Sequence, residues 1–451
     1  MTAEIAVLNK LAVALAADSA VTVSGARQSK IYNTVNKLFA LSKYHPVGIM
    51  LYGGAEFMGV PWETVVKTYR GHLRSRRFDH LEQYAQHFLD YLATDTTIIN
   101  PEREAAFLDT VVRGFYLSLR EDITTRVQSI LGEKGEVTDQ QVSQVTEEII
   151  NETWAEWDEE KVPKHIPVDH SAKIITTFGK LIEAAIDEVF QKLPLSEEGR
   201  KRLAALAAGL FYKDRLTSDH TGLVIAGFGE EESYPSLYEY QLDCRVCGQL
   251  KYRPNRSTII SHDNESGITP FAQAEMVHTF MEGIDPRYKR MVAGYVGKTL
   301  AELPRRIVEG LKDLGEERKA QLVKEADEAA GTLRQKLDEA MDKLAVERFV
   351  SPVLNAVASL PKDELAAMAE ALVNLTKFKR RVSMEMETVG GPIDVAIISK
   401  GDGLVWIRRK HYFEPTLNPH FVTNYFREYD TRDNASPPAE PEDADGGHAH
   451  G

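Results

Sequence analysis

Residues 1–23 read MTAEIAVLNKLAVALAADSAVTV, and the interpretation of this stretch decides the interpretation of the chain. Its apolar run is compatible with a secretory signal peptide or with a β-hairpin that stays in the fold. A signal peptide has a basic start and an uninterrupted apolar centre. Here Glu4 stands in the start, Lys10 divides the apolar run and Asp18 follows the small residues. The signal-peptide interpretation is therefore disfavoured.

The hairpin interpretation fits the same letters better. Two short apolar runs, at residues 5–8 and 11–17, are separated by Asn9 and Lys10. Asn is favoured at the first position of a two-residue hairpin turn, so we predict such a turn here. Because both runs are almost continuously apolar, we expect two strands that are buried on both faces.

Thr2, which precedes the first predicted strand, could act as a nucleophile. Initiator methionine is generally removed when a small residue follows it, which would leave Thr2 with a free α-amine. An α-amine has a pKa of about 7.7–8.0, so near neutral pH it can act as the general base for the hydroxyl of the same residue. Met-Thr-Ala is also a common start, and these letters alone indicate nothing more.

Composition sets limits on the function. The 451 residues are 43% hydrophobic and 27% charged, enough for a substantial core, and their formal net charge is −14. An acidic chain gives no indication of a nucleic-acid or anionic-membrane surface. Because no apolar run approaches twenty residues, we expect no transmembrane helix. Cys244 and Cys247 fall in an apparent strand with the two thiols on opposite faces, and we interpret them as ordinary strand residues.

The chain lacks several motifs that mark well-known chemistries. The chain has no phosphate-binding G-x-x-x-x-G-K-[ST] loop, no H-E-x-x-H, no G-x-S-x-G elbow and no G-x-G-x-x-G between a strand and a helix. The histidines are scattered without metal-ligand spacing. We therefore predict no cofactor and no metal.

Four elements together resemble the N-terminal third of proteasome β-subunits and of their bacterial relative HslV. They are T-A-E-I-A-V at the start, A-A-D-S at residues 16–19, T-V-N-K-L-F at residues 34–39 and G-I-M-L-Y-G-G-A-E at residues 48–56. A second likeness lies in G-L-V-I-A-G-F-G and P-S-L-Y, within residues 222–238. The resemblance implies a divergent bacterial member of this N-terminal-nucleophile (Ntn) hydrolase superfamily.

The resemblance implies roles for four residues. Thr2 would be the nucleophile, and Lys37 would stabilise its developing negative charge. Asp18 would keep Lys37 charged and oriented, since a buried lysine without a partner loses its proton. Gly53 would offer a backbone N–H to the oxyanion. Beside them, Val21, Val35 and Phe39 would give the substrate pocket an apolar lining.

The later parts of the family's site are less clear in this chain. The serine that holds the terminal amine would correspond to Ser266 or Thr269, although neither aligns cleanly. The family's Asp and Ser of the closing strand would correspond to Glu385 and Thr388, with one inserted residue before Gly390.

The fold that the resemblance implies is α+β, a four-layer αββα Ntn-hydrolase sandwich with two large α-helical insertions. The N-terminal part of the core would cover residues 1–77, further core strands and a helix 219–285, and the closing strands 381–429. Amphipathic helical patterns assign the insertions to residues 78–218 and 286–380. Residues 430–451 are acidic, Pro-rich and poor in large apolar side chains, which predicts a disordered tail.

The function implied is that of a cytoplasmic threonine hydrolase that cleaves amide bonds of a peptide or protein. The expected partners are further copies of the chain, with a ring as one arrangement, and a separate regulator or unfoldase. Two alternatives stay open: an inactive structural or regulatory protein of the same fold, and an amidase that acts on a small molecule.

Overall fold

The structure is a computed structural model that describes residues 2–24, 29–217, 220–311, 314–383, 389–420 and 423. The predicted disordered tail at residues 430–451 therefore lies outside the described residues. The chain divides into one unit at residues 1–408 and a second at residues 409–451, where a short 3-10 turn at Pro415–Leu417 is described. Over the described residues, no helix combines the length and apolarity that a membrane crossing needs.

The fold is α+β with antiparallel sheets, and its elements alternate in long blocks. The strands are β1 Ala3–Asn9, β2 Val13–Ala17, β3 Val21–Ser24, β4 Ser29–Tyr32, β5 Leu38–Ala40, β6 Val47–Gly53, β7 Glu56–Phe57, β8 Val60–Pro61, β9 Thr221–Gly227, β10 Ser236–Val246, β11 Gln249–Ile259, β12 Ser266–Ala272, β13 Asp394–Ser399 and β14 Gly403–Arg408. The helices are α1 Trp62–Leu73, α2 Leu81–Thr94, α3 Pro101–Lys134, α4 Asp139–Glu159, α5 His170–Phe190, α6 Glu197–Tyr212, α7 Glu275–Glu282, α8 Pro286–Gly310, α9 Glu316–Ala345, α10 Ser351–Ala358 and α11 Lys362–Val382, with a π-helical turn at Val346–Val350 between α9 and α10.

Two five-stranded sheets form the centre. Sheet 1 has the order β12-β1-β2-β13-β14, and sheet 2 has the order β11-β10-β9-β6-β5. All of their pairings are antiparallel. Each sheet is therefore assembled from strands far apart in sequence, with β1 and β2 lying between β12 and β13.

The side chains of β1 point alternately to the two faces of sheet 1. Ala6 and Leu8 face an apolar core that they share with residues of sheet 2 such as Met50 and Val224. Ile5 and Val7 point the other way, into a core completed by side chains of α7, α10 and α11. Because both faces are covered, the whole of β1 and β2 is buried.

The outer face of sheet 2 packs against the first helical block. Ile49 and Ile225 of the sheet share one apolar cluster with residues of α1 to α6. The larger unit thus contains helices, sheet 1, sheet 2 and helices, in that order. Helices α2 to α6 fall in the first predicted insertion and α8 to α11 largely in the second, and both blocks supply residues to the outer helical layers.

The hairpin that opens the chain has a longer turn than predicted. Leu8 pairs with Val13, so residues 9–12 form a four-residue loop instead of a two-residue turn. The Asn9 side-chain oxygen accepts from the N–H groups of Leu11 and Ala12, and its amide donates to Val357 and Leu360 carbonyls. A buried asparagine with these partners closes the loop and ties it to the helical layer.

After Gly53-Gly54, β7 and β8 form a small strand pair, and α1 begins only at Trp62. The prediction for the two cysteines was wrong in part. Cys244 lies on β10 as predicted, but Cys247 lies in the turn that follows, with φ of 50°. Both thiols are free.

The close packing of Gly222 on β9 against β6 can be tested by substitution. It lies opposite Tyr52 of β6, and a Cβ added to Gly222 would fall 1.9 Å from the Cζ atom of the Tyr52 ring. We expect Gly222→Ala to lower the free energy of unfolding by about 1–3 kcal/mol, since the ring must move.

The matched control is Gly71→Ala on the exposed face of α1, where an added Cβ meets nothing within 4 Å. There the change should be neutral or stabilise by up to about 1 kcal/mol, because alanine favours a helix. Urea unfolding of both variants measures the difference. Equal stabilities would contradict the close packing of Tyr52 on Gly222.

Candidate active site

Thr2 lies immediately before β1, between the two sheets. Alternation along the strand places Thr2 and Glu4 on the face that carries Ala6 and Leu8, towards sheet 2. The Thr2 Oγ1 donates to Glu4 Oε2 at 3.0 Å, and the Thr2 carbonyl accepts from the Gln273 N–H at 3.2 Å. Only 2% of Thr2 is exposed. Its hydroxyl is therefore held by a carboxylate in a closed environment.

Lys37 stands between two buried carboxylates. It precedes β5 and is tied to β6 by a hydrogen bond from the Leu51 N–H to its carbonyl. Its Nζ donates to Asp18 Oδ1 and lies 3.1 Å from Glu4 Oε1. The second contact is a buried ion pair. The structure thus brings Thr2, Asp18 and Lys37 together, through Glu4.

Asp18 follows β2 and is fixed by backbone donors. Its carboxylate accepts from the N–H groups of Ala3 at 3.3 Å, Ala20 at 3.3 Å and Gly390 at 2.9 Å. The Ser19 N–H in turn donates to the Gly390 carbonyl at 3.1 Å. Asp18 therefore has little freedom, and the segment before β13 contributes to its position.

Burial changes the acidity of Glu4. The pKa of Glu4 is raised from 4.5 to about 7, first because burial desolvates its carboxylate and also because the Asp18 charge is close. The Lys37 charge and the hydrogen bond from Thr2 oppose this rise without cancelling it. Near neutral pH, Glu4 can therefore both release and accept a proton.

A narrow cleft leads to this cluster from the sheet-2 side. Its lining includes Val21, Val35, Lys37, Gly53 and Trp62, and its volume is about 20 Å³. That is room for about one water molecule. Two of the three predicted apolar lining residues are thus present, whereas Phe39 is buried in the core between sheet 2 and its helices.

Gly53 ends β6 at the edge of the cleft. Its φ is +84°, and an added Cβ would lie 2.8 Å from the His220 carbonyl oxygen. Both the backbone conformation and the space require glycine. Lys37 and Gly53 therefore border the same cleft.

The remaining predicted residues are not at this cluster. Ser266 pairs with Asn9 at the far end of β1 and donates to the Leu354 carbonyl, about seven residues or roughly 24 Å along the sheet from Thr2. Its predicted role in holding the amine was wrong, because the register of β12 places Ala272 and Gln273 beside Thr2. Glu385 and Thr388 lie outside the described residues.

Glu4 and Gln273 were missed. The signal for Glu4 was present, since a single acidic residue in an otherwise apolar buried strand needs a partner, and it lies two residues from Thr2 on the same face. Gln273 had no such signal, because only the register between β1 and β12 brings its N–H to Thr2.

A second cavity lies away from this cluster. Its volume is about 830 Å³, and it lies between α3 and α4, lined by residues such as Asp122, Arg126 and Glu152, none of which was predicted as a site residue. Within the described ranges, His, Cys, Asp and Glu side chains form no group of three suited to a metal.

Comparisons with known proteins give little similarity. No protein-family model matches the chain, and no curated protein matches it. One similar solved structure is Anbu from Hyphomicrobium sp. strain MC1, with 10% identity over 94% of this chain and 96% of that chain, at a TM-score of 0.24.

These findings overturn the identification of the chain with proteasome β-subunits and HslV. No family model matches, and the similarity to Anbu is marginal. A TM-score this low supports no conclusion about the fold or the function. The assignment of a function therefore depends on the geometry around Thr2.

Glu4 gives this cluster a defined pH dependence. Because its pKa is raised in the folded protein, its contribution to stability is complete below 4.5 and is lost as the pH rises through about 7. Between these limits, the free energy of unfolding of the wild type should fall by up to about 3 kcal/mol relative to that of Glu4→Gln.

Denaturant unfolding at about pH 5 and about pH 8 measures this difference. Glu265→Gln is the control, since Glu265 is exposed and the hydrogen bond from Lys10 lowers its pKa. The same pH dependence in the wild type and in Glu4→Gln would contradict a desolvated Glu4.

Proposed function

We propose that the chain is an N-terminal threonine hydrolase of amide bonds, with peptides as substrates and with an Ntn-type αββα core. One observation supports this proposal most strongly. The Thr2 hydroxyl, at the start of a central strand, donates to a buried carboxylate that shares Lys37 with a second buried carboxylate. A lone buried threonine in a structural role needs none of these charges.

The proposed reaction begins when Thr2 becomes the terminal residue. Its Oγ1 attacks the carbonyl carbon of the substrate amide while its proton passes to a base in the site. The resulting oxyanion is stabilised by the Lys37 charge and the Gly53 N–H. Collapse expels the amine, which takes the proton, and leaves an ester on Thr2. Water then hydrolyses the ester and restores the hydroxyl.

Two groups can act as the base. The α-amine of a processed Thr2 has a suitable pKa near neutrality. Glu4 is the second candidate, since it already accepts the hydroxyl hydrogen bond at 3.0 Å and its pKa is about 7. A base acts best when its pKa lies near the operating pH, and both groups satisfy this condition.

Substrate selection follows from the cleft. Val21, Val35 and Trp62 supply apolar surface next to Lys37 and Gly53. The cleft holds about one water in this conformation, so its walls must move to admit a side chain. We therefore propose a preference for substrates with an apolar residue before the cleaved bond.

A second candidate function is that of an inactive protein with the same core. The observation that favours it is the closure of the site, since Thr2 is 2% exposed and its hydroxyl is occupied by Glu4. An amidase acting on a small molecule would use the same chemistry on a smaller substrate. Activity measurements on both substrate classes separate these alternatives.

The role of Thr2 as the nucleophile is tested by substitution and by the mass of an inhibitor adduct. We expect Thr2→Ala to abolish peptide cleavage and Thr2→Ser to retain part of it, because serine keeps the hydroxyl. An electrophilic threonine-protease inhibitor should add its mass to the N-terminal peptide of the wild type and not to that of Thr2→Ala.

Thr146→Ala is the matched control, since Thr146 is a buried threonine of α4 whose hydroxyl donates to the Val142 carbonyl. It should keep wild-type activity. Cleavage that survives Thr2→Ala would exclude this mechanism, and a wild type with a processed N-terminus that cleaves neither peptides nor small amides would favour the inactive alternative.

The identity of the base is tested by a chain carrying an extra residue, not removable, before Thr2. If the amine is the base, we expect this variant to lose activity and Glu4→Gln to keep a substantial part. If Glu4 is the base, the extended chain should stay active and Glu4→Gln should lose activity together with the rate transition near pH 7. Rates measured over a pH series, with the N-terminus verified by mass, distinguish the two cases.

A further inference from the structure

Helices α8 and α9 form an antiparallel two-helix arm, which we define as residues 286–310 and 316–345. Its register is marked by ion pairs between the helices, with Lys289 Nζ at 2.8 Å from Asp342 and Arg305 at 2.7 Å from Asp327. Val308 is the one residue of α8 that is buried, and α9 has none. The two helices therefore cover each other only in part.

Large apolar side chains are exposed along both helices of the arm. On α8 and α9 each set recurs at intervals of three or four residues, apart from one double interval on α8, so it follows one face of its helix. The members are Tyr288, Met291, Tyr295, Leu303, Ile307, Leu333, Leu337, Met341 and Leu344, each between 41% and 74% exposed. We call this set the arm stripe.

Most of the arm stripe lies at one level of the arm. Because Lys289 is opposite Asp342, the antiparallel register places Met291 near the level of Met341. A similar correspondence relates Tyr295 to Leu337. Seven of the nine exposed residues thus lie where the two helices run side by side, and Leu303 and Ile307 extend the stripe along α8.

We propose that the arm stripe is the contact surface for a second copy of this chain, with two arms packing as a four-helix unit. The first support is area. At roughly 100 Å² from each half-exposed side chain, the nine residues offer about 900 Å² per copy, which meets the roughly 800 Å² that each partner buries in a stable interface. A solitary arm would leave this surface in water, and patches of this size mark interaction sites.

The second support is charge. Helix α8 carries six basic and two acidic residues, whereas α9 carries eight acidic and six basic residues. In a two-fold arrangement, α8 of one copy can lie against α9 of the other, so both contacts join a basic helix to an acidic one. The surface is self-complementary, and this favours a second copy over an unrelated partner.

The test compares the mass of the full chain in solution for two arm-stripe variants and one control. Tyr295→Glu and Leu337→Glu place a charge in the stripe. Leu131→Glu makes the same change on α3, where Leu131 is 46% exposed. Analytical ultracentrifugation at micromolar concentrations gives the mass, and circular dichroism gives the helix content.

We expect the wild type and Leu131→Glu to have at least twice the mass of one chain, and both arm-stripe variants to have a smaller mass with unchanged helix content. A wild type that is a single chain at these concentrations would overturn the proposal. So would arm-stripe variants that keep the wild-type mass. Neither result depends on whether Thr2 is catalytic.

Discussion

One buried cation between two buried carboxylates holds the centre of this molecule together. Glu4 belongs to sheet 1, Asp18 follows a strand of the same sheet, and Lys37 leads into sheet 2. A buried charge without a partner costs several kcal/mol, so each of these three groups is tolerable only while the others are in place. The two sheets can therefore stack correctly only if the cluster around Thr2 assembles as well. Correct packing of the sheets in turn brings the residues of the site together.

The sequence indicated those features that depend on local pattern or on residue order. Two apolar runs predicted β1 and β2, whereas a common site for Asp18 and Lys37 was implied only by the resemblance to a known family. Features that depend on distant pairing were not accessible. The register of β12, which places Gln273 and not Ser266 beside Thr2, is set by contacts with strands more than two hundred residues away. The prediction of a two-residue turn was wrong for the same reason, because Asn9 donates hydrogen bonds to the distant carbonyls of residues 357 and 360.

Glu4 changes the chemistry that the opening residues suggest. A free amine alone would act as base for the threonine hydroxyl, but here the hydroxyl is already committed to a carboxylate of comparable proton affinity. The Lys37 charge opposes the rise in the Glu4 pKa, while desolvation and Asp18 support it. The balance among these three effects leaves Glu4 near its point of half-ionisation at neutral pH, where small changes in hydration of the cleft alter its charge. Opening the cleft would hydrate Glu4 and lower its pKa, so that more of the carboxyl group would be ionised at neutral pH but the carboxylate would be a weaker base.

The arm and the site are joined by a short series of contacts. The Gln273 N–H bonds the Thr2 carbonyl, and its side chain accepts from Arg380 Nε at 2.6 Å. Two residues later, Glu275 begins α7 and accepts two hydrogen bonds from the Arg287 Nη2 in the first turn of α8. The base of the arm is therefore fixed to the residues that fix Thr2. Because each of these contacts involves a charged or backbone group with defined geometry, a displacement of the first turn of α8 must either break the Arg287 pair or shift α7. In the proposed pair of chains, a second arm on the stripe, which begins at Tyr288, would lie beside that turn.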